Sequence, residues 1–546
     1  VDGNRNIVIG LSASLAGDHS DQLFIGSASF ATISASLATG DIIFPSTASA
    51  EYFVGDGSQL TGLSSATSLT QSLFVSPSGN NSTAVVGDLH LPFQTILSAT
   101  ASANIGDTII VYPGTYLSEN ANILKDGVNY YFYPGSFVSS SGTPLIDATL
   151  TYPINVRGAG SFETKLDGQM MTLTAPSGHF EFDLLHSKGK AGSGTGKHTL
   201  YVTQNGDPVG VISVMGSIKN SDGGNAASGC LGLDAGNIRF TGDAINSGSI
   251  GGGIYILSND TKAIINANVY AKNGTAFYNT KRPIYTHFTG KLETGDQSNY
   301  YAIYTAGNYT SGGSFDGEII GSIYCHPGTV SNTGIRVEGR QTCANSPASA
   351  AVYVANGNNI FNQSIAASED IFKIVGGHSK FNGTAQITSD NSGMLFNVTG
   401  GTLVYDGTVG DTTKRANSNT ITGGKLIINN YLEHWGEGYP SNRDCFALSG
   451  GVLEINNKIQ YHQNTTGSGI INMTGGYLKL NGAQLIHNDG TGSYAHCIEL
   501  NNGNHSGSIF GNSWTNLTPF GELGTFTNEV SEGGGTLFYW ENLGEY

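Results

Sequence analysis

Paired glycines recur along the C-terminal half of this chain at a nearly constant interval. The five pairs are Gly376-Gly377, Gly400-Gly401, Gly423-Gly424, Gly450-Gly451 and Gly475-Gly476, and successive pairs lie 24, 23, 27 and 25 residues apart. A repeat of this length indicates a solenoid, in which each repeat packs against its neighbours. Short apolar stretches flank most pairs, and glycine permits the positive φ of a sharp corner. Strand, glycine corner, strand and turn together predict one coil of a parallel β-helix.

Composition supports the same fold class. The chain has 546 residues, which exceeds what one ordinary globular core accommodates, whereas a solenoid adds core with every coil. Glycine accounts for 78 residues, about twice the usual share. Charged residues make up only 12%, as expected for many short strands with polar but uncharged outer faces. We therefore expect an all-β chain folded as a right-handed parallel β-helix.

The charge balance argues against nucleic acid as a partner. The formal net charge is −17, and nucleic-acid binding relies on clustered Lys and Arg. The sequence has no apolar stretch of 18 or more residues, so it predicts no membrane insertion. Its five cysteines are widely spaced without a CxxC pair, and no calcium-type loop occurs. We therefore predict neither a metal site nor a cofactor.

The first 70 residues differ in character from the rest. The run 27–38 alternates small residues with single large apolar ones, and 53–63 reads FVGDGSQLTGL. These segments resemble the shafts of tailed-bacteriophage tail fibres and related virion appendages. The resemblance implies a homotrimer, attachment to other virion proteins through this N-terminal segment, and a location on the virion surface. An interdomain linker is the alternative interpretation, because simple small-residue segments often serve as linkers.

Residues 75–140 carry a second resemblance. The runs 87–96 and 106–116 predict a three-turn helix followed by a buried strand that ends at Pro-Gly. One helical face would carry Phe93, Ile96, Leu97 and Thr100. This arrangement resembles the N-terminal end of pectate-lyase-like right-handed β-helices, where a capping helix covers the first coil. That family contains both sugar-cleaving enzymes and phage tailspikes, so the resemblance implies a fold rather than a reaction.

Residues 141–510 are predicted to stack coil on coil, and residues 511–546 break the pattern. The last segment is rich in aromatic residues and glutamates, and three roles remain open for it: a terminal cap, a trimer clasp or a receptor-facing tip. Asparagines recur at matching points of successive coils. We expect their amides to form a ladder along the axis; they are Asn429-Asn430, Asn456-Asn457, Asn481 and Asn501-Asn502.

One segment, residues 433–444, concentrates groups with chemical potential. It lies in the longest interval between glycine pairs and contains acids, a histidine and aromatic rings that can stack on sugars. Cleavage of a glycosidic bond needs two carboxylates at a defined separation. The candidate catalytic residues are Glu433, Glu437 and Asp444, and the candidate glycan-binding residues are His434, Trp435, Tyr439 and Arg443. A solvated surface loop is the alternative.

Two histidines on later coils, His462 and His487, are 25 residues apart. At matching positions they could align along the axis.

The function predicted from the sequence is a structural and adhesive virion appendage, a tail fibre or tailspike, that binds polysaccharide on the host surface. A low-charge surface rich in Tyr, Asn and Ser suits this role, because rings stack on sugar faces and amides bond to hydroxyls. Two alternatives remain open. One is a polysaccharide depolymerase, either a glycoside hydrolase or a lyase, and the other is a secreted bacterial β-helix adhesin.

Overall fold

The computed structural model describes two units of the chain, Val1–Thr67 and Ser68–Tyr546. It describes residues 71–489 except 118, 120, 141–143, 159, 165–170, 187–197, 207–208, 222–228, 250, 307–308, 326–332, 389–392, 410–416, 436–443, 464–469, 482 and 484. Outside that range it describes the backbone of 7–9, 22–27, 30–36, 42–43, 498–500 and 509–511.

The first unit contains one four-stranded sheet in the order β1-β2-β3-β4. Strand β1 pairs with β2 in parallel, and the other two pairings are antiparallel. The strands are β1 (Ile7–Ile9), β2 (Gln22–Ser27), β3 (Phe30–Ser36) and β4 (Ile42–Ile43).

The second unit contains one helix and 44 strands among the described residues. In chain order they are β5 (Ser72–Val75), α1 (Ile96–Ser102), β6 (Thr108–Val111), β7 (Gly114–Tyr116), β8 (Asn129–Phe132), β9 (Ser136–Ser140), β10 (Asp147–Thr149), β11 (Ile154–Arg157), β12 (Ser161–Thr164), β13 (Met171–Ala175), β14 (Gly178–Glu181), β15 (Asp183–His186), β16 (His198–Gln204), β17 (Ile212–Asn220), β18 (Gly229–Leu233), β19 (Gly236–Asn246), β20 (Gly252–Ile256), β21 (Thr261–Ala271), β22 (Phe277–Asn279), β23 (Tyr285–Thr294), β24 (Ile303–Thr305), β25 (Gly313–Ile320), β26 (Ile323–Cys325), β27 (Thr333–Val337), β28 (Arg340–Cys343), β29 (Ala350–Val354), β30 (Asn358–Phe361), β31 (Ser364–Ala367), β32 (Asp370–Ile374), β33 (His378–Phe381), β34 (Thr384–Ile387), β35 (Phe396–Val398), β36 (Thr402–Tyr405), β37 (Thr408–Val409), β38 (Asn419–Ile421), β39 (Lys425–Ile428), β40 (Leu432–Trp435), β41 (Phe446–Leu448), β42 (Val452–Ile455), β43 (Ile459–Gln463), β44 (Ile471–Met473), β45 (Tyr477–Leu480), β46 (Leu485–Asp489), β47 (Ile498–Leu500) and β48 (Ile509–Gly511).

These strands form a right-handed parallel β-solenoid, so the predicted fold class is confirmed. The first face is a 15-stranded sheet that takes one strand from each successive coil, from β10 to β47. In the C-terminal coils the chain then turns at the paired glycines into the second face, formed by β36, β39, β42 and β45. A further turn leads to the third face, on which β40, β43 and β46 form a three-stranded sheet.

A corner pair needs glycine both for its backbone conformation and for its close approach to the preceding coil. Gly476 has a φ of +87°, a conformation that a side chain strains. A Cβ on Gly475 would lie 2.5 Å from the Ser449 carbonyl oxygen of the preceding coil. The corner also continues the backbone ladder, because the Tyr477 amide donates to the Gly451 carbonyl oxygen at 2.8 Å. Paired glycines therefore let consecutive coils approach to strand-pairing distance at the bend.

The core is built from columns of apolar side chains, one from each coil. On the second face the four leucines in mutual register are fully buried. They are Leu403, Leu426, Leu453 and Leu478. Burying one such side chain contributes about 1.5–3 kcal/mol, and each coil repeats the contribution. The alternation of buried and outward positions along each strand thus assigns half of its side chains to the interior.

Helix α1 lies at the N-terminal end of the solenoid and is shorter than the sequence predicts. It has seven residues, with Thr95 as its N-cap, and Ile96, Ala99 and Thr100 are buried. The buried carboxylate of Glu119 accepts hydrogen bonds from the amides of Ile96 and Leu97. Phe93, predicted to lie on the helix, instead forms a β-bridge with Val75. Two turns rather than three therefore pack against the first strands.

An asparagine ladder follows the corner between the second and third faces, as the sequence predicts. The Asn481 amide donates to Asn456 at 2.7 Å, the Asn456 amide donates to Asn429 at 2.6 Å, and the Asn429 amide donates to the Asp406 carboxylate at 2.6 Å. Hydrogen bonds from Lys380 and Asn429 outweigh partial burial and lower the pKa of Asp406. Asn501 and Asn502 lie outside the described residues.

The same corner carries a second, shorter ladder in earlier coils. The Asn382 amide donates to Asn362 at 2.7 Å, and the Asn362 amide donates to the Glu338 carboxylate at 2.8 Å. In both ladders every amide donates toward the preceding coil, and a carboxylate is the final acceptor.

Three further sequence predictions concern the C-terminal segment, the cysteines and membrane insertion. The C-terminal segment 511–546 lies outside the described residues except for the backbone of residue 511, so its role as a cap, clasp or tip stays a prediction. Four cysteines, at positions 230, 325, 343 and 445, are buried and free. Helix α1 is far too short to cross a bilayer, and no other helix in the described part of the chain is a candidate span.

Alanine substitutions can separate the two requirements at the glycine corner. We expect Gly476→Ala to destabilise the solenoid more than Gly206→Ala. Gly206 has a similar φ of +80°, but a Cβ there would meet nothing within 4 Å, so only backbone strain of about 1–2 kcal/mol applies. At Gly476 the added Cβ also approaches the Gly450 backbone at 2.8 Å, which adds about 1–3 kcal/mol of overpacking. Urea unfolding followed by circular dichroism measures both; equal losses would contradict the close-approach requirement.

Candidate functional site

The residues predicted to carry chemistry begin on strand β40, on the third face. Leu432 is buried, Glu433 points outward and His434 is buried again at 2% exposure. Trp435 ends the strand, and Asp444 lies two residues before the first-face strand β41. Glu437, Tyr439 and Arg443 lie outside the described residues. Of the predicted catalytic acids, Glu433 is therefore the one whose surroundings the structure defines in detail.

Glu433 belongs to a polar cluster contributed by two adjacent coils. We call this set the third-face cluster; it comprises Tyr431, Glu433, Lys458, Gln460 and His462. The parallel pairing of β40 with β43 places Glu433 beside Gln460 and Trp435 beside His462. Because alternate side chains of a strand share one face, Glu433, Gln460 and His462 all lie on the outer side.

Hydrogen bonds connect the members of the third-face cluster. His462 Nε2 lies 2.9 Å from Glu433 Oε1 and 3.1 Å from Gln460 Nε2. This nitrogen donates to the carboxylate when protonated and accepts from the amide when it is not. The Tyr431 hydroxyl is 3.1 Å from Glu433 Oε2 and 3.0 Å from Gln460 Oε1. The cluster therefore holds donors and acceptors that can exchange partners without moving the backbone.

The phenol of Tyr431 is held in its neutral form. Burial and the adjacent charge of Glu433, together with their hydrogen bond, raise the pKa of Tyr431 to about 12. The Lys458 ammonium lies 5.2 Å from the centre of the Tyr431 ring, within the range of a cation–π contact. Tyr431 thus presents a hydroxyl that can donate a hydrogen bond to a sugar or to Glu433 at neutral pH.

The cluster offers hydrogen-bond donors and acceptors, but its described residues do not supply the carboxylate pair of a glycosidase. Two carboxyl groups must flank the scissile bond, and Glu433 is the one carboxylate in the third-face cluster. Among the described residues, no group of three or more His, Cys, Asp or Glu is arranged to hold a metal ion. A carboxylate, an amide, an imidazole and a phenol together form a hydrogen-bonding surface.

His434 lies on the inner side of β40 and does not reach this surface. Its ring stacks on Tyr461 with a centroid separation of 5.6 Å. Burial lowers the pKa of His434 to about 4, so the ring is neutral at physiological pH. Within the described part of the chain, Nδ1 has no hydrogen-bond partner. The position of His434 favours a packing role over the predicted contact with glycan.

The possible alignment of His462 with His487 does not occur. His462 pairs with Asn488 of the next coil, and His487 pairs with Tyr461. The two histidines are offset by one residue, so they do not stand at matching positions of the register.

Tyr431, Lys458 and Gln460 are not among the site residues predicted from the sequence, although the sequence contains a signal for them. The interval between the glycine pairs that enclose Glu433 is 27 residues, and adding 27 to Glu433 gives Gln460. The same step leads from Tyr431 to Lys458. Applying the local interval to every outward residue would therefore have brought the members of the cluster together.

Comparison of the chain with protein-family models, with curated proteins and with solved structures finds no significant match. The fold and the geometry described above are therefore the basis for any functional conclusion.

The buried imidazole of His434 predicts acid sensitivity. Its folded-state pKa of about 4 lies below the ordinary value of 6.5, so protons bind preferentially to the unfolded chain. The contribution of the neutral ring to the free energy of unfolding is complete above pH 6.5. It falls by about 3 kcal/mol as the pH drops toward 4. We expect His434→Phe, which keeps a ring against Tyr461, to remove that part of the pH dependence. Urea unfolding between pH 4 and 7 measures it.

The exposed residue His378 supplies the matched control for this experiment. His378→Gln, which removes an exposed imidazole, is measured in parallel. An unaltered profile in His434→Phe would show that His434 is not neutral and buried in the folded protein.

Proposed function

We propose that this chain is a structural and adhesive virion appendage, of the tail fibre or tailspike kind, that binds polysaccharide on the host surface through the outer faces of its solenoid. The observation that supports glycan binding most directly is the third-face cluster. It presents a neutral phenol within hydrogen-bonding distance of a carboxylate and an amide.

The strength expected of one such site is modest. A hydrogen bond contributes a net ~0.5–1.5 kcal/mol, and one to a charged group ~1.5–3 kcal/mol. A few contacts of this kind give weak binding, which an appendage offsets with several copies of the site. The fibre-shaft resemblance of the first 70 residues supports a homotrimer, and trimerisation would provide those copies. The same segment is the proposed attachment point for other virion proteins.

Retention on an array of purified bacterial capsular and lipopolysaccharide glycans tests this proposal. We expect Tyr431→Phe, which removes one hydroxyl, and Glu433→Gln to weaken retention about tenfold each, since tenfold corresponds to ~1.4 kcal/mol. Tyr477→Phe is the matched control, because Tyr477 is an exposed tyrosine on the second face. No retention of any glycan by the wild type, or equal losses in all three variants, would refute the proposal.

A second candidate function is polysaccharide cleavage, and one observation favours it. Glu433 bonds at once to an imidazole and a phenol, an environment that can hold or transfer a proton. A hydrolase would need a second carboxylate, for which Glu437 and Asp444 are the proposed candidates.

Release of reducing ends from host polysaccharide tests the cleavage hypothesis. If the chain is a depolymerase, Glu433→Gln and Glu437→Gln should each reduce release at least a hundredfold, because removing a catalytic acid or base typically costs 10²–10⁴ in rate. Unchanged release in both variants would rule out this site. Absence of release from the wild type on polysaccharide that it binds would leave adhesion as the function.

A further inference from the structure

A column of tyrosines follows the outer side of the first face, away from the third-face cluster. Each occupies the same position of its strand, and each pairs in register with the next. We call this set the tyrosine ladder; it comprises Tyr255, Tyr278, Tyr304, Tyr324 and Tyr353. Tyr255 is buried, and the other four are half-buried between inward-facing neighbours.

The rings of the tyrosine ladder repeat with the spacing of the coils. Ring centroids from Tyr278 onward are separated by 5.0, 4.8 and 5.0 Å, with interplanar angles of 10°, 2° and 2°. Parallel rings in face-to-face contact would lie only ~3.5–4.0 Å apart. The longer separation means that each ring is shifted sideways relative to the next, as in an offset stack. The four rings from Tyr278 onward are each partly exposed to solvent.

The hydroxyls of the tyrosine ladder form a regular polar row. Burial, followed by the neighbouring phenols, raises the pKa of Tyr278 and Tyr324, so both stay protonated at neutral pH. A phenol can donate one hydrogen bond and also accept. Tyr301 lies beside the column, 5.1 Å from Tyr324 between ring centroids, and widens the aromatic surface there.

Beyond the tyrosine ladder the same outward position stays almost free of charge. The register continues through Lys373 to four uncharged side chains. They are Asn397, Thr420, Ala447 and Asn472. Lys373 is the one charged residue among these ten positions, and its ammonium lies 5.7 Å from the centre of the Tyr353 ring. The register then reaches Glu499. In a chain of net charge −17, ten successive positions with a single charge complement an uncharged ligand.

We propose that the tyrosine ladder binds a linear, uncharged polysaccharide in its extended β-linked form, lying parallel to the solenoid axis. The separation between successive ring centroids is close to the advance of one pyranose residue along an extended β-1,4-linked chain. Successive sugars can therefore meet successive rings, with C–H groups on the exposed part of each ring and hydroxyls on the phenols. This inference rests on the proposed glycan-binding function and names a ligand class and a second site for it.

Titration calorimetry of the full chain with three hexasaccharides tests the proposal. Cellohexaose is extended and uncharged, maltohexaose is curved and uncharged, and hexagalacturonate is charged. We expect measurable binding of cellohexaose and binding at least tenfold weaker for the other two. The ladder inference is overturned if cellohexaose does not bind, or if either of the other hexasaccharides binds as tightly.

Variants locate the binding on the chain. We expect Tyr304→Leu, which keeps an apolar side chain but removes the ring, to weaken cellohexaose binding at least tenfold. Tyr304→Phe keeps the stack and should cost less, about threefold, and it remains informative if the leucine variant does not fold. Tyr477→Leu, on the second face, is the matched control and should bind as the wild type does.

The outcome for Tyr431→Phe separates this inference from the proposed function. Cellohexaose binding that is lost in Tyr431→Phe but kept in both Tyr304 variants would place the sugar on the third face. That result would refute the ladder site while leaving glycan adhesion intact. Retention of host polysaccharide without any binding of cellohexaose would do the same.

Discussion

Backbone hydrogen bonding between consecutive coils is the interaction on which the rest of this structure depends. Each coil pairs in parallel with the next, so every side chain stands beside its counterpart one turn away. The leucine columns, the asparagine ladders, the third-face cluster and the tyrosine ladder are all products of this register. A side chain that would be isolated on a single strand gains a partner from the neighbouring coil. Glycine corners preserve the register through each bend, because they let two backbones come within hydrogen-bonding distance.

Side chains that act together on the surface of such a molecule are therefore aligned in rows along the solenoid axis. The tyrosine ladder and the third-face cluster use different faces, yet both arise because polar or aromatic residues recur at the local coil interval. The two surfaces differ in kind. The cluster joins unlike groups from two coils and offers a compact set of hydrogen bonds, whereas the ladder repeats one group over five coils and offers length. Under the proposed function, a polysaccharide would contact the cluster through one or two sugars and the ladder through several.

The fold could be predicted from the sequence because the five glycine pairs of the C-terminal half mark corners. Asn429, Asn456 and Asn481, each five residues after a pair, mark the following turn. The candidate site could be predicted only in part. Glu433 could be predicted because a carboxylate is a candidate catalytic group wherever it lies. The inward direction of His434 could not be predicted, because a shift of one residue in the strand register would turn its side chain outward. The tyrosines were missed because their spacings of 23, 26, 20 and 29 residues follow loop lengths rather than a fixed period. A repeated pair of an apolar residue followed by Tyr is the sequence signal that would have identified them.

The direction of the asparagine ladders gives the solenoid a chemical polarity. Each amide donates to the coil that precedes it in sequence, and the series starts from an anionic acceptor, Glu338 or Asp406. A newly synthesised coil therefore meets an oxygen already in place on the coil made just before it. If coils fold in the order of translation, every side-chain amide of the ladder finds its acceptor on a coil that has already folded. If coils folded from the C-terminus instead, each amide would be placed before its acceptor.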